Sequence, residues 1–390
     1  MTTSLNFKPK VAASPIYVGG ASLESIQKKY GLDDVIKIAS NESPIGPSPR
    51  AIEAIQQAAL TLNRYPPLSD DELRVALSEF LGRGLGPDNF FSGNGGCDVL
   101  AMLAYSFLSP GDECIICRPT FSIYEITARR AGAEMIYVDL DPEDYSYDVE
   151  AILAAVTEKT RLIYICSPNN PTGTIITAPQ MEILVDNLPP HVLLMTDEVY
   201  HHFATRADFP DSLAYVQEGK NIAILHSFSK AFGLAGLRLG YAIAAPEIAR
   251  YLSRAHQPFH LNQLALRAGL AALQDQAHVE KIVKLVLSGR DWLYEQLTRL
   301  GLRLWPSQAN FILFKPPFPA AEVSERLLRR GVIVRPMTPF YLPTHLRVTV
   351  GLPAENKRFI DALRDTLVEL EAEGVSKEET VEQDKGTFKF

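Results

Sequence analysis

Apolar and polar positions alternate in short blocks along this chain. Apolar runs at 35–39, 90–92, 113–117, 134–139, 161–166, 192–196, 221–225 and 239–244 read as strands, several of them buried on both faces. Helical spacing separates many of them. The stretch 49–60 places Ile52, Ile55, Ala59 and Leu60 on one face, and 23–30, 70–81, 99–108 and 148–157 read the same way. A helix opens after Pro119, and a long helical run covers 263–300 with a break near Gln274 and Asp275. Beyond it come strands at 311–314, 331–335 and 346–350, and helices at 320–330 and 354–370. Strand–helix alternation from about 90 to 245 predicts an α/β fold, a mostly parallel seven-stranded sheet with helices on both faces. The C-terminal part reads as a smaller α+β unit. The expected organisation is an N-terminal arm at 1–30, a large domain at 46–265, a small domain from 31–45 with 266–370, and a disordered polar tail at 371–390.

Composition narrows the function classes. Hydrophobic residues make up 46% of 390 positions, ample for a core of this size. The formal net charge of −8 argues against a nucleic-acid surface. An anionic ligand would need local arginines to overcome that field. Cys114 and Cys117 have C-x-x-C spacing, but no second pair completes a zinc site, and no metal is expected. Thiols in apolar strands suit a reducing compartment. Without an apolar signal core or an eighteen-residue apolar run, the expectation is a cytoplasmic protein with no membrane partner.

The densest chemistry lies in Ser227-Phe228-Ser229-Lys230-Ala231-Phe232-Gly233, continuing to Arg238. A lysine among apolar neighbours has its pKa lowered, and a neutral amine can attack an aldehyde to form a Schiff base. Ser227, Ser229 and Arg238 carry hydroxyls and a guanidinium that suit a phosphate. Earlier, Gly95, Gly96 and Cys97 form a glycine-rich turn between a strand and a helix, a place where backbone N–H groups receive an anion. A dinucleotide fingerprint would need glycine where Asp98 stands. Ser167-Pro168-Asn169-Asn170-Pro171-Thr172-Gly173 ends one strand, and Asp197-Glu198-Val199-Tyr200 ends another, facing the ligand crevice of an open sheet. Arg335 and Arg347 sit in valine-rich strands, where a guanidinium needs an anionic partner.

These motifs resemble the fold-type I, pyridoxal-phosphate-dependent aminotransferases, the aspartate-aminotransferase-like fold, over about residues 15–370. Within them, the chain is most similar to the histidinol-phosphate aminotransferases. The resemblance implies pyridoxal 5'-phosphate as cofactor, bound covalently by Lys230. It implies Phe121 stacked on the cofactor ring, Asn169 and Tyr200 on its phenolic oxygen, and Asp197 on its ring nitrogen. The phosphate falls to the Gly95–Gly96–Cys97 turn, Ser227, Ser229, Arg238 and, across a homodimer, Tyr65 of Arg64-Tyr65-Pro66. Gly96-Cys97-Asp98 departs from the residues usual in this turn, a change that backbone donors should survive. Tyr17, Asn41, Arg335 and Arg347 match substrate positions. His201 and His202 read as structural or pocket-lining.

The implied reaction passes the amino group of L-histidinol phosphate to 2-oxoglutarate, with aromatic amino-acid transamination and phosphothreonine decarboxylation as alternatives on the same scaffold. Two other classes fall away. Ser227-Phe228-Ser229-Lys230 fits the S-x-x-K of acyl-serine enzymes, but S-D-N and K-T-G are missing. A ligand-sensing regulator would need a DNA-binding extension, and residues 1–30 are too short and too weakly basic for one.

Overall fold

The computed structural model describes residues 8–17 and 19–377. Residues 378–390 of the expected tail, and 1–7 and Val18 of the expected arm, lie outside the described residues.

Seven strands build the main sheet: β1 Phe90–Gly93, β2 Glu113–Arg118, β3 Glu134–Asp139, β4 Thr160–Cys166, β5 Leu193–Asp197, β6 Ile222–Ser227 and β7 Gly240–Ala244. Their spatial order is β1-β7-β6-β5-β4-β2-β3. β7 runs antiparallel to both its neighbours, and the other pairs are parallel. β4, β5 and β6 are buried almost throughout, which is why they read as continuous apolar runs. Apolar clusters cover both faces of the sheet. Cys114 and Cys117 of β2 belong to opposite clusters as free thiols, as three residues of strand spacing require.

The C-terminal part holds an antiparallel sheet of β8 Arg303–Leu304, β9 Phe311–Lys315, β10 Arg335–Pro336 and β11 Leu346–Thr349. A parallel pair, Ile36–Lys37 with Val332–Ile333, carries the N-terminal segment onto this unit. The run expected as one strand at 331–335 is therefore two. Val332–Ile333 pairs with Ile36–Lys37, and Arg335–Pro336 pairs with β11.

The long helical run breaks at Gln274 and Asp275, giving Gln263–Leu273 and Gln276–Arg299. Asn262 opens the first by accepting from the Ala265 N–H at 2.8 Å. That helix packs on Pro49–Ala59 and Asp71–Leu81 of the large unit. The expected boundary at 265/266 falls inside this helix. The last helix, Pro353–Ala372, runs two residues into the stretch expected as tail.

Candidate active site

The strand ends converge on a cavity of about 400 Å³. β5 delivers Asp197, β6 delivers Ser227 and the Ser229–Lys230 turn, and the β1–helix turn delivers Gly96 and Cys97. Arg335 and Arg347 enter from the small sheet, where they face each other across β10 and β11.

Lys230 lies deep in this cavity. Its Nζ donates to the carbonyl of Asn41 at 3.0 Å and sits 5.4 Å from the Tyr200 ring centroid. Burial lowers its amine to about 8, and the positive charge of Arg347 acts in the same direction. Asn41 is held from several sides. Its N–H donates to Thr349 Oγ1 at 2.9 Å, and its Nδ2 donates to the Tyr200 hydroxyl at 3.0 Å.

Asp197 is 3% exposed, and burial raises its carboxyl to about 6. The Tyr124 hydroxyl donates to it at 2.6 Å and partly offsets that rise. Tyr124 is itself fixed by stacking on Tyr164, centroids 4.7 Å apart. Phe121 lines the cavity, edge-on to Tyr124 at 5.8 Å and to Tyr17 at 6.2 Å.

Glycine is required around the turn. Gly95 has φ +82°, and a Cβ there would overlap the Arg238 guanidinium. A Cβ on Gly240 would come within 2.7 Å of the Gly96 nitrogen. The helix Gly96–Phe107 begins at this turn, so its first N–H groups face the same space as the Ser227 and Ser229 hydroxyls and Arg238.

Most of the residues picked out from sequence share this one cavity, with three exceptions. Gly95 lies behind the wall as the helix cap. Tyr65 is 82% exposed and stacks on Phe259 at 4.7 Å, away from the cavity of its own chain. Asn169 points elsewhere. It is fully buried, its Nδ2 donates to the Pro119 carbonyl and to Thr172 Oγ1, both at 2.9 Å, and its Oδ1 accepts from Thr120. With its amide engaged in this way, it has no reach into the cavity. Asn170, one residue on, lines the cavity and accepts a hydrogen bond from Arg347. The candidate at this position is therefore Asn170 in place of Asn169.

Sequence reasoning also missed Tyr124, although it falls three residues after Phe121 at the start of the helix Ile123–Ala131. His201 and His202 turn from the cavity and stack with His226, centroids 3.9 Å apart along the series. Among the described residues, no group of three metal-ligating side chains could hold a metal ion. No helix among them is long and apolar enough to cross a membrane.

Residues 33–363 match the family model of the class I and II aminotransferases. This chain belongs to that family. The aminotransferase is 44% identical over 352 residues to the histidinol-phosphate aminotransferase of Moorella thermoacetica, covering 90% of each chain. It is 42% identical over 353 residues to that of Symbiobacterium thermophilum, covering 90% of this chain and 96% of the relative. Among solved structures, it superposes on the Sinorhizobium meliloti histidinol-phosphate aminotransferase in complex with pyridoxal-5'-phosphate. The TM-score is 0.85 at 26% identity, covering 95% and 99% of the two chains.

The donor set of this aminotransferase fits pyridoxal phosphate. A lysine with a lowered pKa suits the aldehyde, and a buried carboxyl steadied by Tyr124 suits the ring nitrogen. A glycine cradle with two serines and an arginine suits the phosphate.

Proposed function

We propose that this aminotransferase moves the amino group of L-histidinol phosphate to 2-oxoglutarate, using pyridoxal phosphate held at Lys230. The observation that carries the substrate is the Arg335–Arg347 pair. Two guanidiniums directly opposite across two strands suit a dianion better than a single carboxylate. Burial lowers both, Arg347 to about 10, so an anion between them offsets a desolvation cost. The Arg347 Nε is buried with no hydrogen-bond partner in the protein. The names of the two relatives above point to the same donor.

When bound, the cofactor supplies an aldehyde for the amine and a ring that accepts the electrons left when the neighbouring carbon loses a proton. The protein does the rest. Released from the cofactor, Lys230 Nζ, lowered toward neutrality, would take the proton from the amine-bearing carbon of the donor and return it to the cofactor carbon that carried the aldehyde. Asp197 would meet the ring nitrogen and keep it protonated, with its carboxyl held in place by Tyr124. Tyr200 and Asn170 would serve the phenolic oxygen and Phe121 the ring face, all three from the wall of the same cavity. Gly96, Cys97, Ser227, Ser229 and Arg238 would anchor the phosphate, with Gly95 shaping the turn behind them.

The reading includes a cytoplasmic homodimer. Tyr65 reaches the partner's cofactor phosphate, a role supported by its exposure beside the exposed Leu60, Leu62 and Leu68. Each chain divides into a large unit, extended here to the break at Gln274, and a small unit formed by 31–45 and the C-terminal part.

The test is spectroscopic. The cofactor-loaded protein is titrated with L-histidinol phosphate, then with phenylalanine, tyrosine and glutamate. The visible band of the loaded protein should be lost at low histidinol phosphate and restored by 2-oxoglutarate. A response to aromatic amino acids alone would move the function to aromatic transamination. No visible band after adding pyridoxal phosphate would overturn the cofactor reading at Lys230.

A further inference from the structure

Two side chains in the cavity wall are carboxylates, Asp197 and Glu42, against four cations, Lys230, Arg238, Arg335 and Arg347. Asp197 is at the floor, engaged by Tyr124 and by the Val199 N–H at 3.3 Å. Glu42 is different. Its side chain is half exposed, and its nearest cation, Lys37 Nζ, is 3.8 Å from Oε2, a long contact that leaves the carboxylate able to accept another donor.

The backbone that carries Glu42 is fixed across the cavity. Arg347 Nη2 donates to the Ala39 carbonyl at 3.0 Å, and Lys230 Nζ donates to the Asn41 carbonyl at 3.0 Å. Asn310 Nδ2 donates to the Asn41 carbonyl at 3.1 Å and to the Glu42 carbonyl at 3.4 Å. Residues 39–41 thus run from Arg347 past the reactive lysine, and Glu42 comes next. Three residues of chain span at most about 10 Å, the scale of a small amine phosphate. The cavity wall therefore carries both anion receptors, Arg335 and Arg347, and a hydrogen-bond acceptor, Glu42.

We propose that Glu42 determines donor specificity by accepting a hydrogen bond from the ring N–H of a heteroaromatic amine phosphate whose phosphate lies on Arg335 and Arg347. This rests on the function proposed above and deepens it. A phenyl or aliphatic side chain offers no proton, so seating it covers part of the Glu42 carboxylate without supplying a hydrogen bond in return. A site built to pair a substrate N–H discriminates against the analogue lacking it more strongly than an apolar pocket can. The negative charge of Glu42 also favours the protonated form of Lys230, so a test has to separate an effect on the ring from an effect on the lysine.

The experiment compares L-histidinol phosphate with L-phenylalaninol phosphate, which keeps the amine and phosphate and lacks the ring N–H. The loaded enzyme is assayed as wild type, E42Q and E42D. A hydrogen bond to a charged group predicts a loss of about 10- to 100-fold in kcat/KM for histidinol phosphate in E42Q. Phenylalaninol phosphate should change by less than about 3-fold or improve, and E42D should recover part of the loss. Equal losses for both donors would assign Glu42 to Lys230 and overturn the proposal, as would no loss for histidinol phosphate. A wild-type enzyme that used phenylalaninol phosphate and rejected histidinol phosphate would instead overturn the function on which the proposal rests.

Discussion

The carbonyl of Asn41 accepts a hydrogen bond from Lys230 Nζ at 3.0 Å across 189 residues of sequence. The N-terminal segment and the reactive lysine therefore form one site. In the proposed function, removing the amine removes both the cofactor anchor and the base. Lys230→Ala should lower single-turnover transamination by at least about 10³-fold, in line with loss of a positioned general base. Its circular dichroism should match wild type.

The cofactor-free lysine should titrate near pH 8. About a tenth of it is then neutral at pH 7, far more than for an ordinary lysine. Labelling of Lys230 by an amine-selective reagent, read by mass spectrometry, should rise through pH 8 and level off above pH 9. Arg347→Gln removes a positive charge that lowers this pKa, so its labelling midpoint should move to higher pH.

Tyr124→Phe deletes the hydroxyl that donates to Asp197. That bond favours the ionised carboxyl, so its loss raises the Asp197 pKa further above about 6. The acid limb of cofactor affinity should shift to higher pH, and turnover should fall about 10-fold or more, as for a lost bond to a charged group. An unchanged acid limb would show that Tyr124 only packs.

Asn169 and Asn170 should separate. Asn169→Ala removes the partner of the Pro119 carbonyl and of the Thr120 hydroxyl and one partner of the Thr172 hydroxyl, and should cost about 2–3 kcal/mol of stability in a denaturant titration. Asn170→Ala leaves the fold intact and releases Arg347, so the donor KM should rise about 10-fold with little change in melting temperature.

Glu198 is buried next to Asp197, and burial raises its carboxyl to about 8. His226 Nε2 stands 3.6 Å from it, but burial lowers that imidazole to about 3, so it is neutral there. A raised acid binds its proton more tightly in the folded state than in the unfolded one. Its contribution to stability is complete below the unfolded value of 4.5 and declines as pH rises toward about 8. Glu198→Gln should flatten that decline, making the variant about 2–4 kcal/mol more stable relative to wild type at pH 8.5 than at pH 5. Parallel melting curves at the two pH values would rule this out.

Local chemistry made much of this protein readable from its sequence. Apolar runs of strand length marked all seven strands of the main sheet, most plainly β4, β5 and β6, because strands buried on both faces cannot alternate. Serines and an arginine around Lys230 were legible as one group and line the same cavity, because they are close in sequence. Tertiary structure decided the rest. In Asn169-Asn170 the two amides are chemically identical, and only the folded loop turns one to Thr172 and the other to Arg347. Tyr124 became a partner of Asp197 only once the fold brought the start of the helix Ile123–Ala131 to the end of β5. The strand expected at 331–335 split because its two ends face different partners, Ile36–Lys37 and β11, and pairing belongs to the partner as much as to the segment. Sequence sets what each residue can do. Which of two equivalent residues does it depends on directions in space that only long-range packing supplies.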